Sequence, residues 1–145
     1  MGKEIEHKYL VVTDSYKSTA TENHHIIQGY LSKDVERTVR IRIIDNKAFL
    51  TIKGRNDGDT RLEFEYEIPV EDAREMLILS IGDYLEKRRW IVDYGGYRWE
   101  VDEFLNRNAP TIAEIELPFS SHNYPLPPFV GEEVTGDPKY YNSNL

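Results

Sequence analysis

Charged residues in this chain recur two positions apart with apolar residues between them. Arg40 and Arg42 alternate with Val39, Ile41 and Ile43, and Thr51 and Lys53 with Leu50 and Ile52. Glu63, Glu65 and Glu67 alternate with Phe64, Tyr66 and Ile68, and Glu114 and Glu116 with Ala113, Ile115 and Leu117. Glu100 and Asp102 alternate with Trp99 and Val101, while Lys87 and Arg89 flank Arg88 in a less regular version. The stretch Glu4-Ile5-Glu6-His7-Lys8 has the same form. On a β-strand alternate side chains share a face, so each segment is a strand with one apolar face and one charged face. A simple solvated face predicts mixed signs scattered among Ser, Thr and Gln. Here the signs are segregated by strand. Such faces either form the surface of a sheet or line a closed barrel as a wet, charged lumen, since a dry interior of this kind is unstable. Periodicity alone leaves both options open.

The remaining strand signals fit a curled antiparallel sheet. Strands are expected at about 3–12, 24–32, 36–45, 47–54, 61–69, 84–94, 97–104 and 112–119. Asp45-Asn46, the Asn56–Asp59 run and Gly95-Gly96 supply turns short enough to force antiparallel neighbours. One clear helix is expected at about 71–81, opened by Glu71 and Asp72 and stopped at Gly82. Residues 120–138 read as a loop broken by prolines and glycines, followed by a short C-terminal helix. Residues 1–145 are expected to form one mainly β domain, an eight-stranded antiparallel closed β-barrel.

Composition narrows the partners. A net charge of −8 repels nucleic acid and anionic membranes, so an anionic ligand needs a local concentration of Lys and Arg. The chain has no cysteine, no apolar run of membrane-spanning length and no secretory signal pattern, and a cytoplasmic setting is the expectation. Two carboxylates on one strand face suit a hard divalent cation such as Mg²⁺, and the lysine beside them suits an anion. His24-His25 and His122 read as solvated residues without a role.

These motifs together resemble the CYTH domain of the triphosphate tunnel metalloenzyme superfamily. Glu4-Ile5-Glu6-His7-Lys8 is similar to the family's N-terminal Glu-x-Glu-x-Lys, with His7 where arginine is commoner. Gln28-Gly29-Tyr30-Leu31, Arg40-Ile41-Arg42, Thr51-Ile52-Lys53-Gly54, Glu65-Tyr66-Glu67, Lys87-Arg88-Arg89, Asp102 and Glu114-Ile115-Glu116 follow in the family's order. The resemblance implies a tunnel with its charged faces inward. It implies that Lys8, Arg40, Arg42, Lys53, Lys87 and Arg89 bind a triphosphate and that Glu4, Glu6, Asp102, Glu114 and Glu116 hold Mg²⁺ or Mn²⁺. Tyr30 would assist Lys8 in orienting water, Glu65 and Glu67 would match the fifth-strand acids, and Lys139 would lie in an element closing one tunnel mouth.

The implied activity is metal-dependent hydrolysis of tripolyphosphate or a nucleoside triphosphate. An adenylyl cyclase making cyclic AMP from ATP, or a non-catalytic polyphosphate-binding or nucleotide-binding module, would share much of the site. A barrel with its apolar face outward also needs cover, so a homodimer is expected.

Overall fold

A computed structural model describes residues 2–145. The chain runs β1 (Lys3–Val11), α1 (Tyr16–Thr19), β2 (Glu22–Ser32), β3 (Thr38–Ile44), β4 (Lys47–Lys53), β5 (Thr60–Ile68), α2 (Val70–Ile78), β6 (Leu85–Tyr94), β7 (Tyr97–Phe104), β8 (Ile112–Glu116) and β9 (Val130–Glu133). Every strand pair is antiparallel. The order β5-β4-β3-β2-β6-β7-β8-β1 closes on itself where Lys3, Glu4 and Ile5 pair with Leu62, Arg61 and Thr60. Eight strands therefore form a closed barrel, as the sequence predicts.

That closure covers only the first third of one β1 edge. The last third is taken by β9, with Tyr9 opposite Glu133 and Val11 opposite Val130, and between them Glu6 and Lys8 bond to Asp59, Val134 and Thr135. The segment read as loop thus contains a ninth strand, because β1 outruns β5 and its remaining backbone groups need partners. Two further corrections concern helices. A one-turn helix, α1, was not expected, and the C-terminus forms two 3₁₀ turns, Pro138–Tyr140 and Asn142–Asn144, rather than an α-helix. Helix α2 starts one residue earlier than expected and ends at Ile78, three residues earlier, with the Ser80 hydroxyl donating to the Leu77 carbonyl.

The apolar faces point out, and the core lies outside the barrel in two pieces. On one side Tyr9, Val92, Trp99, Val101 and Ile115 from β1, β6, β7 and β8, with Leu117 just after β8, pack beneath Tyr16 of α1 and Phe129. On the other, Ile41 and Ala48 of β3 and β4 pack against Ala73 of α2. Gly29 lets this helix seat on β2, since a Cβ there would meet Leu77 Cδ2 and Ser80 Cβ at 2.9 Å. His7, facing outward on β1, is not idle: it is 2.6 Å from the Tyr124 hydroxyl and 2.9 Å from Asp59, tying the 120s segment to the barrel seam. His122 likewise has a partner, the Tyr97 hydroxyl at 2.6 Å.

Candidate active site in the barrel lumen

Strand register converts the sequence pairs into rows across the barrel wall. Lys8 lies opposite Glu114 and Glu6 opposite Glu116 across β1–β8. Tyr30 lies opposite Arg40, Arg40 opposite Thr51, and Thr51 opposite Glu65. Arg89 lies opposite Asp102, and Glu100 opposite Glu114. Register partners share a face, so one inward turn of the pleat carries all these residues into the lumen.

The result is a cavity of about 220 Å³ in which a cationic wall faces an acidic one. Lys8, Arg40, Arg42, Lys53, Lys87 and Arg89 line it with Glu4, Glu6, Glu114 and Glu116, together with Tyr30 and Glu65. Three expected residues lie elsewhere. Glu67 is exposed near the end of β5, and Lys139 is exposed on the first 3₁₀ turn with its ammonium 5.2 Å from the Tyr140 ring. The C-terminal segment does reach the lumen, but through Tyr141, Asn142 and Ser143. Asp102 faces inward yet stays behind the cavity wall. Arg89 donates to its two oxygens at 2.8 and 2.9 Å, and Lys87 donates to one at 2.8 Å. Both carboxylate oxygens are therefore already taken by cations.

Several lining residues were not singled out by charge alternation. Thr38 and Arg61, at the starts of β3 and β5, share the parity of Arg40 and Glu63, while Asn56 and Thr135 sit on loops where no period marks them. Glu63, left unassigned in the sequence, lines the cavity 3.1 Å from the Lys53 ammonium, which also donates to Glu4 at 3.2 Å. Past the charged stretch, Ile26, Leu85 and Ile112 share the inward face with their register partners Lys87, Gln28 and Asp102 and are buried, giving the lumen an apolar floor.

Electrostatics divide the site into a satisfied half and an unsatisfied half. Burial works against ionisation of Asp102, but Arg89 and Lys87 outweigh it and hold the carboxyl far below the usual range. Glu114 is likewise held low, burial being outweighed by Lys8 3.6 Å away together with Arg89 and Lys87. At the other corner burial pushes Glu6 up to about 8, and repulsion from Glu114 and Glu4 adds to it. Burial also pushes Glu4 up to about 7, against the pull of Lys53. Glu116 is raised by burial and by Glu63 and Glu100. Among the cations, burial lowers Lys87 to about 7 despite Asp102, and lowers Arg42 to about 10 with help from Arg40 and Arg89.

The Glu4–Glu6–Glu116 corner holds more carboxylate than its neighbours can neutralise. Oxygen donors crowded in this way fit a hard divalent cation. Among the described residues, no three acidic or histidine side chains are already gathered into a coordination set. The other wall has the opposite need. Arg40, Arg42, Lys53, Lys87 and Arg89 concentrate positive charge in a protein of net charge −8, which suits a compact polyanion.

Comparison with known proteins agrees with this geometry. The sequence model of the CYTH domain matches residues 2–141, and the chain belongs to the CYTH domain family. An inorganic triphosphatase of Acetivibrio thermocellus is 48% identical over 147 residues, spanning 100% of this chain and 94% of the relative. An inorganic triphosphatase of Nitrosomonas europaea is 30% identical over 148 residues, spanning 98% and 95%. Among solved structures, the crystal structure of an inorganic triphosphatase superposes with a TM-score of 0.68 at 29% identity, covering 97% of this chain and 92% of the other. A Hippeastrum protein described as a proposed adenylyl cyclase with dominant triphosphatase activity shares the fold, with a TM-score of 0.61 at 18% identity over 80% of each chain.

Proposed function

We propose that this chain hydrolyses a terminal phosphoanhydride of a linear triphosphate in the barrel lumen, with tripolyphosphate as the simplest substrate and Mg²⁺ or Mn²⁺ as cofactor. One observation carries the reading: seven cationic side chains, the six above and Arg61, share a single cavity with an undercompensated carboxylate corner. A polyanion binder has no use for the carboxylates, and a metal store has none for the arginines. The triphosphatase relatives at 48% and 30% identity support the same chemistry.

In this reading Arg40, Arg42 and Arg89 present planar paired donors to phosphate oxygens, while Lys53 and Lys87 act as point charges. Glu4, Glu6 and Glu116 would hold the divalent ion, with Glu114 shared between that corner and Lys8. When bound, the ion supplies charge neutralisation at phosphate oxygens. Lys8 and Tyr30 orient the attacking water at the terminal phosphorus. A bond forms from water oxygen to phosphorus, the bridging P–O bond breaks, one water proton passes to the oxygen freed on the pyrophosphate, and phosphate and pyrophosphate leave. Phosphoryl transfer needs little covalent help, so fixed charge and positioning supply most of the rate. Asp102 serves the cationic wall as a counter-ion and is not assigned to the metal.

The reading extends to a homodimer. Leu62, Phe64 and Tyr66 on β5 are exposed, with Ile52 of β4 opposite Phe64, and α2 covers the neighbouring β3–β4 face rather than this strip. Light scattering is expected to give about twice the 17.0 kDa chain mass, and a monomer mass contradicts the pairing.

Phosphate and pyrophosphate release from tripolyphosphate, ATP and thiamine triphosphate tests the activity. Metal-dependent phosphate from tripolyphosphate is expected. Cyclic AMP from ATP without phosphate release would make the chain a cyclase, and binding without turnover would make it a carrier.

A further inference from the structure

Gln28 is fully buried on the inward face of β2, opposite Arg42 in register and one inward position from Tyr30. Its amide makes three hydrogen bonds. Oε1 accepts from Arg42 Nε at 3.2 Å, while Nε2 donates to the Tyr30 hydroxyl at 3.0 Å and to Asn142 Oδ1 at 3.3 Å.

The neighbours dictate which way this amide points. A guanidinium can only donate, so the Gln28 carbonyl must face Arg42 and its nitrogen must face Tyr30. Asn142 agrees, because its Oδ1 also accepts from Lys87 Nζ at 2.7 Å, whose ammonium form carries donors only. The Tyr30 oxygen therefore accepts a hydrogen bond from Gln28 and must direct its own hydrogen elsewhere. Among the described residues that hydroxyl has no second partner, and Tyr30 lines the cavity.

We infer that Gln28 is a positioning residue for triphosphate hydrolysis, one that fixes Tyr30 as a hydrogen-bond donor into the lumen while holding Arg42 at its phosphate-facing angle. The inference rests on the hydrolase reading above and names what sets its geometry. Donors oriented before the reaction need no reorganisation during it, which is where such an arrangement gains rate. A carboxylate in place of the amide would accept from both neighbours. It would turn the Tyr30 proton away from the substrate while still pairing with Arg42.

The test is a double-mutant cycle in kcat and KM for tripolyphosphate, using Gln28→Glu, Tyr30→Phe and the double variant at saturating Mg²⁺ or Mn²⁺. Gln28→Glu is expected to lower kcat roughly 10- to 100-fold, comparable to losing one oriented donor. In the Tyr30→Phe background it should change kcat less than about threefold, because the path through the hydroxyl is already gone. Its KM increase, caused by a negative charge beside the phosphate site, should persist in both backgrounds.

Equal kcat losses in both backgrounds, or an unchanged kcat for Gln28→Glu, would overturn the inference. Gln28→Met, uncharged and close in volume, repeats the cycle if the glutamate variant fails to fold. It should show the same non-additivity in kcat. Absence of tripolyphosphate turnover by the wild-type protein would instead sink the hydrolase reading itself, so the two failures are distinct.

Discussion

Arg89 on β6 grips Asp102 on β7, its register partner, with Nε 2.8 Å from one carboxylate oxygen and Nη2 2.9 Å from the other. This fork, buried with Lys87 beside it, anchors the cationic wall of the lumen. It makes Asp102 a counter-ion rather than a free oxygen donor. Replacing Asp102 with Ala strips Lys87 of its carboxylate partner and leaves Arg89 with Glu100 alone, 3.2 Å away, and should cost about 3–5 kcal/mol in urea denaturation. Divalent metal affinity should stay within about threefold of wild type, whereas loss of a true ligand or its direct support typically costs 10- to 100-fold.

The inside-out core predicts that truncations on the outer face are the damaging ones. Phe129 is 2% exposed and meets Tyr16 edge-on with ring centroids 5.9 Å apart. Phe129→Ala should lower stability by about 3–5 kcal/mol. A loss under about 1 kcal/mol would mean that the segment before β9 is not part of the fold's support.

Gly29 offers a second structural check. An added methyl would sit 2.9 Å from both Leu77 Cδ2 and Ser80 Cβ, inside contact distance. Gly29→Ala should push α2 off the β2 surface at a cost of about 1–3 kcal/mol, read from the thermal midpoint. An unchanged or raised midpoint contradicts that packing.

Lys87 gives the site a pH dependence of definite sign. Burial holds its ammonium at about 7, so in the empty lumen it is mostly neutral above that pH. A bound polyanion favours the charged form and raises this value. Tripolyphosphate affinity should then be greatest below pH 7 and fall as pH rises toward the ordinary lysine range, with net proton uptake on binding. Titration calorimetry in buffers of different ionisation enthalpy reads the uptake directly. Proton release at pH 8 would contradict it.

Much of the site was legible because strand alternation is a property of the backbone. Once Arg40, Arg42, Glu114 and Glu116 are known to share a parity, only the choice between lumen and surface remains. Closure through the β1–β5 pairing creates the lumen, and the cavity lined by these four residues shows which face it takes. Alternation cannot say which charges neutralise one another: Asp102 joins the metal residues through the family resemblance, and in the structure Arg89 and Lys87 donate to its two oxygens. It also extended one step too far along β5, where Glu63 and Glu65 line the cavity and Glu67 does not.

What escaped the sequence had no period to reveal it. Val130–Glu133 is four residues long, and its strand character comes from the β1 edge that β5 leaves uncovered. Gln28 is uncharged, so a pattern built on charge passes over it, although it is more deeply buried than Tyr30. At the C-terminus the cavity is reached by Tyr141, Asn142 and Ser143. Lys139 points away while Asn142, three residues on, reaches Lys87 at 2.7 Å.

The most direct measurement is phosphate release from tripolyphosphate with Mg²⁺ or Mn²⁺, comparing wild type with Glu4→Gln and Lys8→Ala. Each variant removes one charge from a different functional set of the same cavity. Turnover that needs the metal and collapses in both variants, with cooperative folding retained, is the predicted result. Turnover that survives both substitutions would place the chemistry outside the lumen and contradict the proposed site.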